Sequence, residues 1–159
     1  MITAPLVSGD DHLDLNMLPA DLWTNRMAAK WGDRAPHVEI SDSGGMWMAD
    51  GESWGFWSGK KSSFFGNGPK PIKTAYDRGG IEDTTELRAG NPKLRLEDMD
   101  RDGVWGHLVF GPVTSIKSTD EALMRACYAA YNDWLYDEFC TAAPDRLIGV
   151  AMLPPHPEP

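Results

Sequence analysis

Three short apolar runs, Ile2–Val7, Val104–Phe110 and Leu147–Leu153, are separated by stretches of helical periodicity, and this alternation restricts the chain more than any other feature. Strands that alternate with helices pair in parallel, because each helix carries the chain back to the starting end of the sheet. In such folds ligand groups gather at the carboxyl ends of the strands. The reading is therefore an α/β fold, with its chemistry sought just after each apolar run.

The first run leads into Ser8, Gly9, Asp10, Asp11 and His12, which predicts a buried strand ending in polar groups. From Pro19 the segment Pro-Ala-Asp-Leu-Trp predicts a short helix with Asp21 as N-cap, ending near Gly32. Between His37 and Trp57 the Gly44-Gly45 and Asp50-Gly51 pairs are hairpin signals and predict an antiparallel meander. Residues 58–91 are rich in Gly, Pro, Lys, Ser and Asn without clear periodicity and read as a loop. Meander and loop together make an insertion after the first strand, at about 36–91. Asn91-Pro92 predicts an N-cap with proline at the first helical position, and Gly103 a helix stop. Ser118 and Glu121 have capping-box spacing, ahead of Leu123, Cys127, Tyr131, Trp134, Leu135 and Phe139 at helical intervals; that helix must stop before Pro144.

Charge narrows the partners. The 24 acidic side chains against 15 basic ones leave a net charge of -9, which disfavours nucleic acid and anionic membrane surfaces. Hydrophobic residues, at 42%, suffice for a core, so 159 residues make one domain or part of a larger one. Cys127 and Cys140 fall on different faces of one expected helix, beyond disulfide reach, and read as free thiols of a reducing, cytoplasmic compartment. No secretory leader is legible at the start, and no run has the apolar length to cross a bilayer.

His12 is the leading candidate for chemistry. In extended chain, residues two apart face the same way, so Asp10, His12 and Asp14 are expected on one side at the strand's carboxyl end. Imidazole and carboxylate suit zinc or another divalent transition metal, although the same trio also makes an ordinary polar loop start. His156 lies just past the third run, on the edge of His12 if the sheet is parallel, and is the second candidate. His37 and His107 read as ordinary strand histidines. Trp47, Trp54, Phe56, Trp57, Phe64 and Phe65 could line a pocket for a planar substrate, but holding the meander together is the simpler account. Asp98, Asp100 and Asp102 resemble half a calcium loop, yet Val109 stands where the bidentate Glu belongs, so they read as a solvated helix end. The glycines around Gly55 and Gly59 lack the spacing and flanking elements of a phosphate loop, and Cys127 reads as core rather than nucleophile.

Three blocks together carry a family resemblance. They are Asp10-Asp11-His12-Leu13-Asp14-Leu15 with Pro19-Ala20-Asp21-Leu22-Trp23, then the run from Arg95 to Val104, then Tyr131-Asn132-Asp133-Trp134 with the run from Ala143 to Val150. In this order, over nearly the whole chain, they resemble the amino-terminal part of the amidohydrolase-related family. The branch is the one containing aminocarboxymuconate semialdehyde decarboxylase and the resorcylate decarboxylases. The resemblance implies a partial (β/α)₈ barrel, of three strands and two helices, with a divalent ion, zinc or manganese, at its mouth. In the family a His-x-His pair begins the metal site; His12 matches its first member, and Asp14 stands at the second as an oxygen ligand. The family's later ligands fall on strands without counterparts here.

The implied function is that of a metal-dependent hydrolase or decarboxylase acting on a small carboxylated or carbonyl substrate, with His156 touching that substrate and the insertion covering the mouth or contacting a second copy. A complete barrel takes about 250 residues, and an open three-stranded sheet exposes two edges. The competing expectation is therefore a truncated, non-catalytic remnant or binding module without a complete metal site.

Overall fold

A computed structural model describes residues 4–42, 44–59, 87–112, 116 and 118–154. Strands β1 (Val7–His12), β5 (Gly106–Phe110) and β6 (Leu147–Gly149) pair in parallel, in that spatial order. Parallel pairing is what the alternation of strands and helices predicts. The strand limits differ from the apolar runs, and the differences matter for the site.

The first strand is Val7–His12 rather than Ile2–Val7, and it is largely exposed rather than buried, with Leu6 and Val7 open on the sheet edge; Ile2 and Thr3 of that run lie outside the described residues. Its register on β5 runs from Val7 opposite Gly106 to His12 opposite Phe110, with an irregularity between Ser8 and Asp11. Ladder bonds are made by main-chain groups, so the position of the partner, not the apolar run, decides which residues become strand. His12 is thus the last residue of β1 instead of the loop beyond it, and Leu13 extends the ladder through its N–H to Phe110 O at 2.8 Å.

At the other edge, β6 is shorter than the run Leu147–Leu153 suggests. The Asn132 side chain accounts for the early end. Its Nδ2 donates to Met152 O at 2.8 Å while Met152 N donates to its Oδ1 at 2.8 Å, so a side-chain amide replaces the next strand neighbour. Along β6 the alternation is clear: Leu147 is buried and Ile148 is 46% exposed.

Helix α1 spans Thr24–Trp31 and closes at Gly32, where φ is 53°. Asp21 is not its N-cap. The chain turns through residues 20–23 first, burying Leu22 and Trp23, and Asp21 instead accepts from Asn25 Nδ2 at 2.9 Å. Helix α2 spans Pro92–Asp102 with the expected ends: Asn91 Oδ1 accepts from the N–H groups of Lys93 and Leu94, and Gly103 closes it at φ 70°. Helix α3 spans Glu121–Trp134, and its N-cap is Asp120, whose carboxylate takes the N–H groups of Ala122 and Leu123. Ser118, the expected cap, accepts from Asp120 N at 3.0 Å and so supports the cap from one step upstream.

The stripe Leu123, Cys127, Tyr131 and Trp134 is buried as its spacing predicts. The continuation is not α-helical: Leu135–Phe139 forms a wider π turn, and Cys140–Ala142 a 3₁₀ turn. The wider turn keeps both Leu135 and Phe139 on the buried side.

The chain between α1 and α2 begins with the expected meander. Strands β2 (His37–Ser41), β3 (Gly44–Ala49) and β4 (Glu52–Trp57) form an antiparallel sheet. Asp50 and Gly51, with φ of 52° and 79°, give the second hairpin the positive φ at both turn positions that a right-handed strand twist requires. Residues 60–86, including Phe64 and Phe65, lie outside the described ones.

Trp47 and Trp54 of the meander belong to the core and Trp57 packs against it, whereas Phe56 is 50% exposed. Trp23 meets Trp47 edge-on at 5.0 Å and Trp54 at 6.3 Å between ring centroids, and its Nε1 donates to Cys127 O of α3 at 3.0 Å. Trp47 Nε1 donates to Leu15 O and Trp57 Nε1 to Leu18 O, each at 2.9 Å. These two indoles fasten the meander onto the 3₁₀ turn Leu15–Met17. The meander therefore holds in place the segment that follows His12.

Candidate functional site

An open cleft of about 500 Å³ lies beside the end of β1 and the inner side of α2. It is lined by Asp10, Asp11, His12 and Asp14 from β1 and the residues after it, and by Arg88, Arg95 and Asp98 from α2 and the turn before it, with His107 from β5. Close packing beside the cleft joins the turn after β1 to the turn before α2. Gly90, in the turn before α2, sits so near Met17 O that a Cβ there would stand 1.9 Å away, which brings the two turns together only because residue 90 is glycine.

His12 is half-exposed at the strand end. Its Nε2 lies 3.1 Å from Asp10 Oδ1, and its ring meets Phe110 edge-on at 6.1 Å. Asp14 follows two residues later, just before the 3₁₀ turn, and lines the same cleft without capping that turn. The structure thus brings His12 together with Asp10 by direct contact and with Asp14 by proximity to one cleft. His156 lies outside the described residues.

On the α2 side, a second set of charged groups was not anticipated from the sequence. Arg95 is buried, 6% exposed, and its guanidinium donates in four directions. Nε reaches His107 Nδ1 at 3.1 Å, one terminal nitrogen reaches His12 O at 3.1 Å and Ala89 O at 3.0 Å, and the other reaches Asp11 Oδ1 at 3.3 Å. His107 is therefore no ordinary strand histidine: its Nδ1 also lies 3.2 Å from Asp11 Oδ1. Burial pushes the His107 ring below its ordinary value, with Arg95 and Arg146 adding to that and Asp11 and Asp102 opposing it. His37, by contrast, hydrogen-bonds Ala35 O at 2.8 Å in the meander, away from the cleft lining.

A sequence signal for Arg95 did exist. It stands one helical turn before Met99, the other buried residue of α2, so a single face holds both. Charge normally argues for the opposite face, and only the partners on β1 and β5 reverse that.

The acidic run at the end of α2 is satisfied by arginines. Asp98 accepts from Arg88 Nε at 3.0 Å and a terminal nitrogen at 2.8 Å and from Arg101 at 2.9 Å, while Asp100 pairs with Arg146 at 2.7 Å. The Arg88 pair holds the Asp98 carboxyl below the usual carboxylate range.

Two observations bear on a divalent ion. Among the described residues, no group of three or more His, Cys, Asp or Glu side chains stands close enough to hold one. The donor chemistry nevertheless fits part of such a site, with the His12 imidazole, the Asp14 carboxylate beyond it, and Asp11 Oδ2, a buried anionic oxygen without a hydrogen-bond partner among the described residues. Also among the described residues, no helix is long and apolar enough to cross a membrane.

No protein-family model matches the chain, and no curated protein matches it in sequence. Among solved structures, an amidohydrolase from Mycobacterium avium subsp. paratuberculosis K-10 is similar, with a TM-score of 0.60 at 14% identity. The match covers 95% of this chain and 43% of that one, so the chain spans less than half of that protein's length. At this identity the likeness is one of fold alone: the chain shares the mixed α/β arrangement of part of that structure.

Proposed function

We propose that the chain supplies the first strand and helix units of a metal-dependent, barrel-type amidohydrolase, either a hydrolase or a carboxy-lyase, acting on a small carboxylated or carbonyl-bearing substrate. The observation that supports this reading best is His12, at the carboxyl end of the first parallel strand and facing the cleft, within a fold shared with an amidohydrolase over 95% of the chain. His12 and Asp14 would hold the ion. Asp10, in contact with the His12 ring, orients it. His156 would contact substrate, and the insertion would border the mouth. When bound, zinc or manganese supplies Lewis acidity toward a carbonyl or carboxylate oxygen.

The test is calorimetric titration of the metal-free chain with Zn²⁺ and Mn²⁺, run beside His12→Ala. The expected result is saturable binding at one site in the parent, weakened at least tenfold in the variant. Equal binding by both, or none by either, would overturn the reading and favour a non-catalytic remnant. Carbon dioxide release from aromatic carboxylates against hydrolysis of esters and lactones then separates the two chemistries.

A further inference from the structure

We infer that Arg95 is a positioning residue for His12: by bonding the His12 carbonyl from beneath while gripping Asp11 and His107, it sets where the end of β1, and with it the His12 side chain, stands. The inference deepens the metal reading of His12 and takes its functional meaning from that reading, but its structural basis is independent of it.

A buried guanidinium is strongly unfavourable unless its donors are paired, and the four bonds of this one reach three elements. Ala89 O ties it to the turn before α2, His107 Nδ1 to β5, and Asp11 Oδ1 and His12 O to the last two residues of β1. The fork is planar and its donor directions are fixed, so the partners must come to it rather than the reverse. That rigidity matters at β1 because the strand is irregular between Ser8 and Asp11, and regular pairing resumes only at the residues that Arg95 holds.

The protonation pattern follows from the contacts. Arg95 Nε–H donates to His107 Nδ1, so that nitrogen is the acceptor and the ring proton resides on Nε2. Asp11 Oδ1 and His107 Nδ1 are then two acceptors 3.2 Å apart, and the guanidinium they share is what keeps them together. Without Arg95, the Asp11 carboxylate would face an imidazole lone pair with no donor between them, and the two would separate, which displaces Asp11, the neighbour of His12.

Site-resolved amide hydrogen exchange on the full chain tests this. The Leu13 N–H, bonded to Phe110 O, reports on the end of β1; the Val150 N–H, bonded to Val109 O, reports on the other side of β5. In Arg95→Met, Leu13 exchange should rise roughly tenfold or more, the change expected for loss of a charge-assisted bond, with Val150 protection unchanged. In the same variant Zn²⁺ affinity should fall by about tenfold or more, as it does when groups that orient a ligand are removed. His107→Phe, which keeps the arginine but removes its Nε partner, should move both readouts in the same direction and serves if Arg95→Met does not fold.

Parent-like Leu13 protection in the folded variants, or equal loss at Leu13 and Val150, would overturn the positioning role. If the parent chain takes up no Zn²⁺ while Leu13 responds as expected, the metal reading fails and the positioning role stands. If Zn²⁺ binds through His12 but Leu13 and the affinity are indifferent to Arg95, the positioning role fails and the metal reading stands.

Discussion

Trp23 joins the two halves of the structure, and truncating it tests whether the meander and the parallel layer share one core. The side chain is fully buried, packs edge-on against Trp47 and Trp54 of the meander, and bonds a carbonyl of α3. Trp23→Ala should cost about 3–5 kcal/mol, the range for a large buried aromatic whose cavity refills only in part. Of this, about 1 kcal/mol belongs to the indole hydrogen bond and about 0.5–1.5 kcal/mol to each aromatic pair. Trp23→Phe keeps most of the ring contact and should cost about 1–2.5 kcal/mol. Against a domain stability of about 5–15 kcal/mol, the larger change lies well within reach of urea unfolding. Tyr136→Ala is the control: at 72% exposure its effect should stay within about 0.5 kcal/mol. A loss below about 1 kcal/mol for Trp23→Ala, with an unchanged denaturant slope, would refute the account, because two layers joined through this side chain cannot lose it at so little cost.

Asn91→Ala removes the two N-cap bonds of α2 and should lower stability by about 1 kcal/mol, read by the same unfolding titration; Asn91→Asp should restore most of it. The folded-state pKa of His107 is depressed, so the unfolded chain binds that proton more readily. Its contribution to stability is present above the ordinary value of 6.5 and is lost as pH falls from there through the folded value. His107→Gln should therefore flatten the decline of unfolding free energy below about pH 6.5, and an unchanged slope would count against this role. Burial pushes the Cys127 thiol up to about 12, so maleimide should label Cys127 only on unfolding; rapid labelling of the native chain at that position would contradict the core assignment.

How much of this was legible beforehand depends on the range over which each feature is decided. Asn91, Pro92 and Gly103 delimit α2 as read, because capping is local: a side chain meets N–H groups two and three residues away. The Asp50-Gly51 turn held for the same reason. Asp21 failed as a cap because burial of Leu22 and Trp23 delayed the helix, and that burial depends on residues far along the chain. The first strand moved five residues because Gly106–Phe110 chose its partners by main-chain geometry. Asp10, His12 and Asp14 line one cleft, but so does Asp11, which strand alternation places on the other face. Arg95 and His107 stayed hidden because a charged helix residue and a strand histidine look solvated or ordinary until their partners are known.

The sequence by itself determined the alternation of strands and helices, the meander, the caps of α2, the acidic charge and the polar end of the first strand. Each depends on neighbours within a few residues or on totals that no folding can change. Tertiary structure alone decided the register of β1, the burial of Arg95 and the company of His107. Those depend on which main-chain groups and charges of different elements meet, as Arg95 meets Asp11 and His12 across more than 80 residues of chain, and a buried charge is tolerable only where such partners converge.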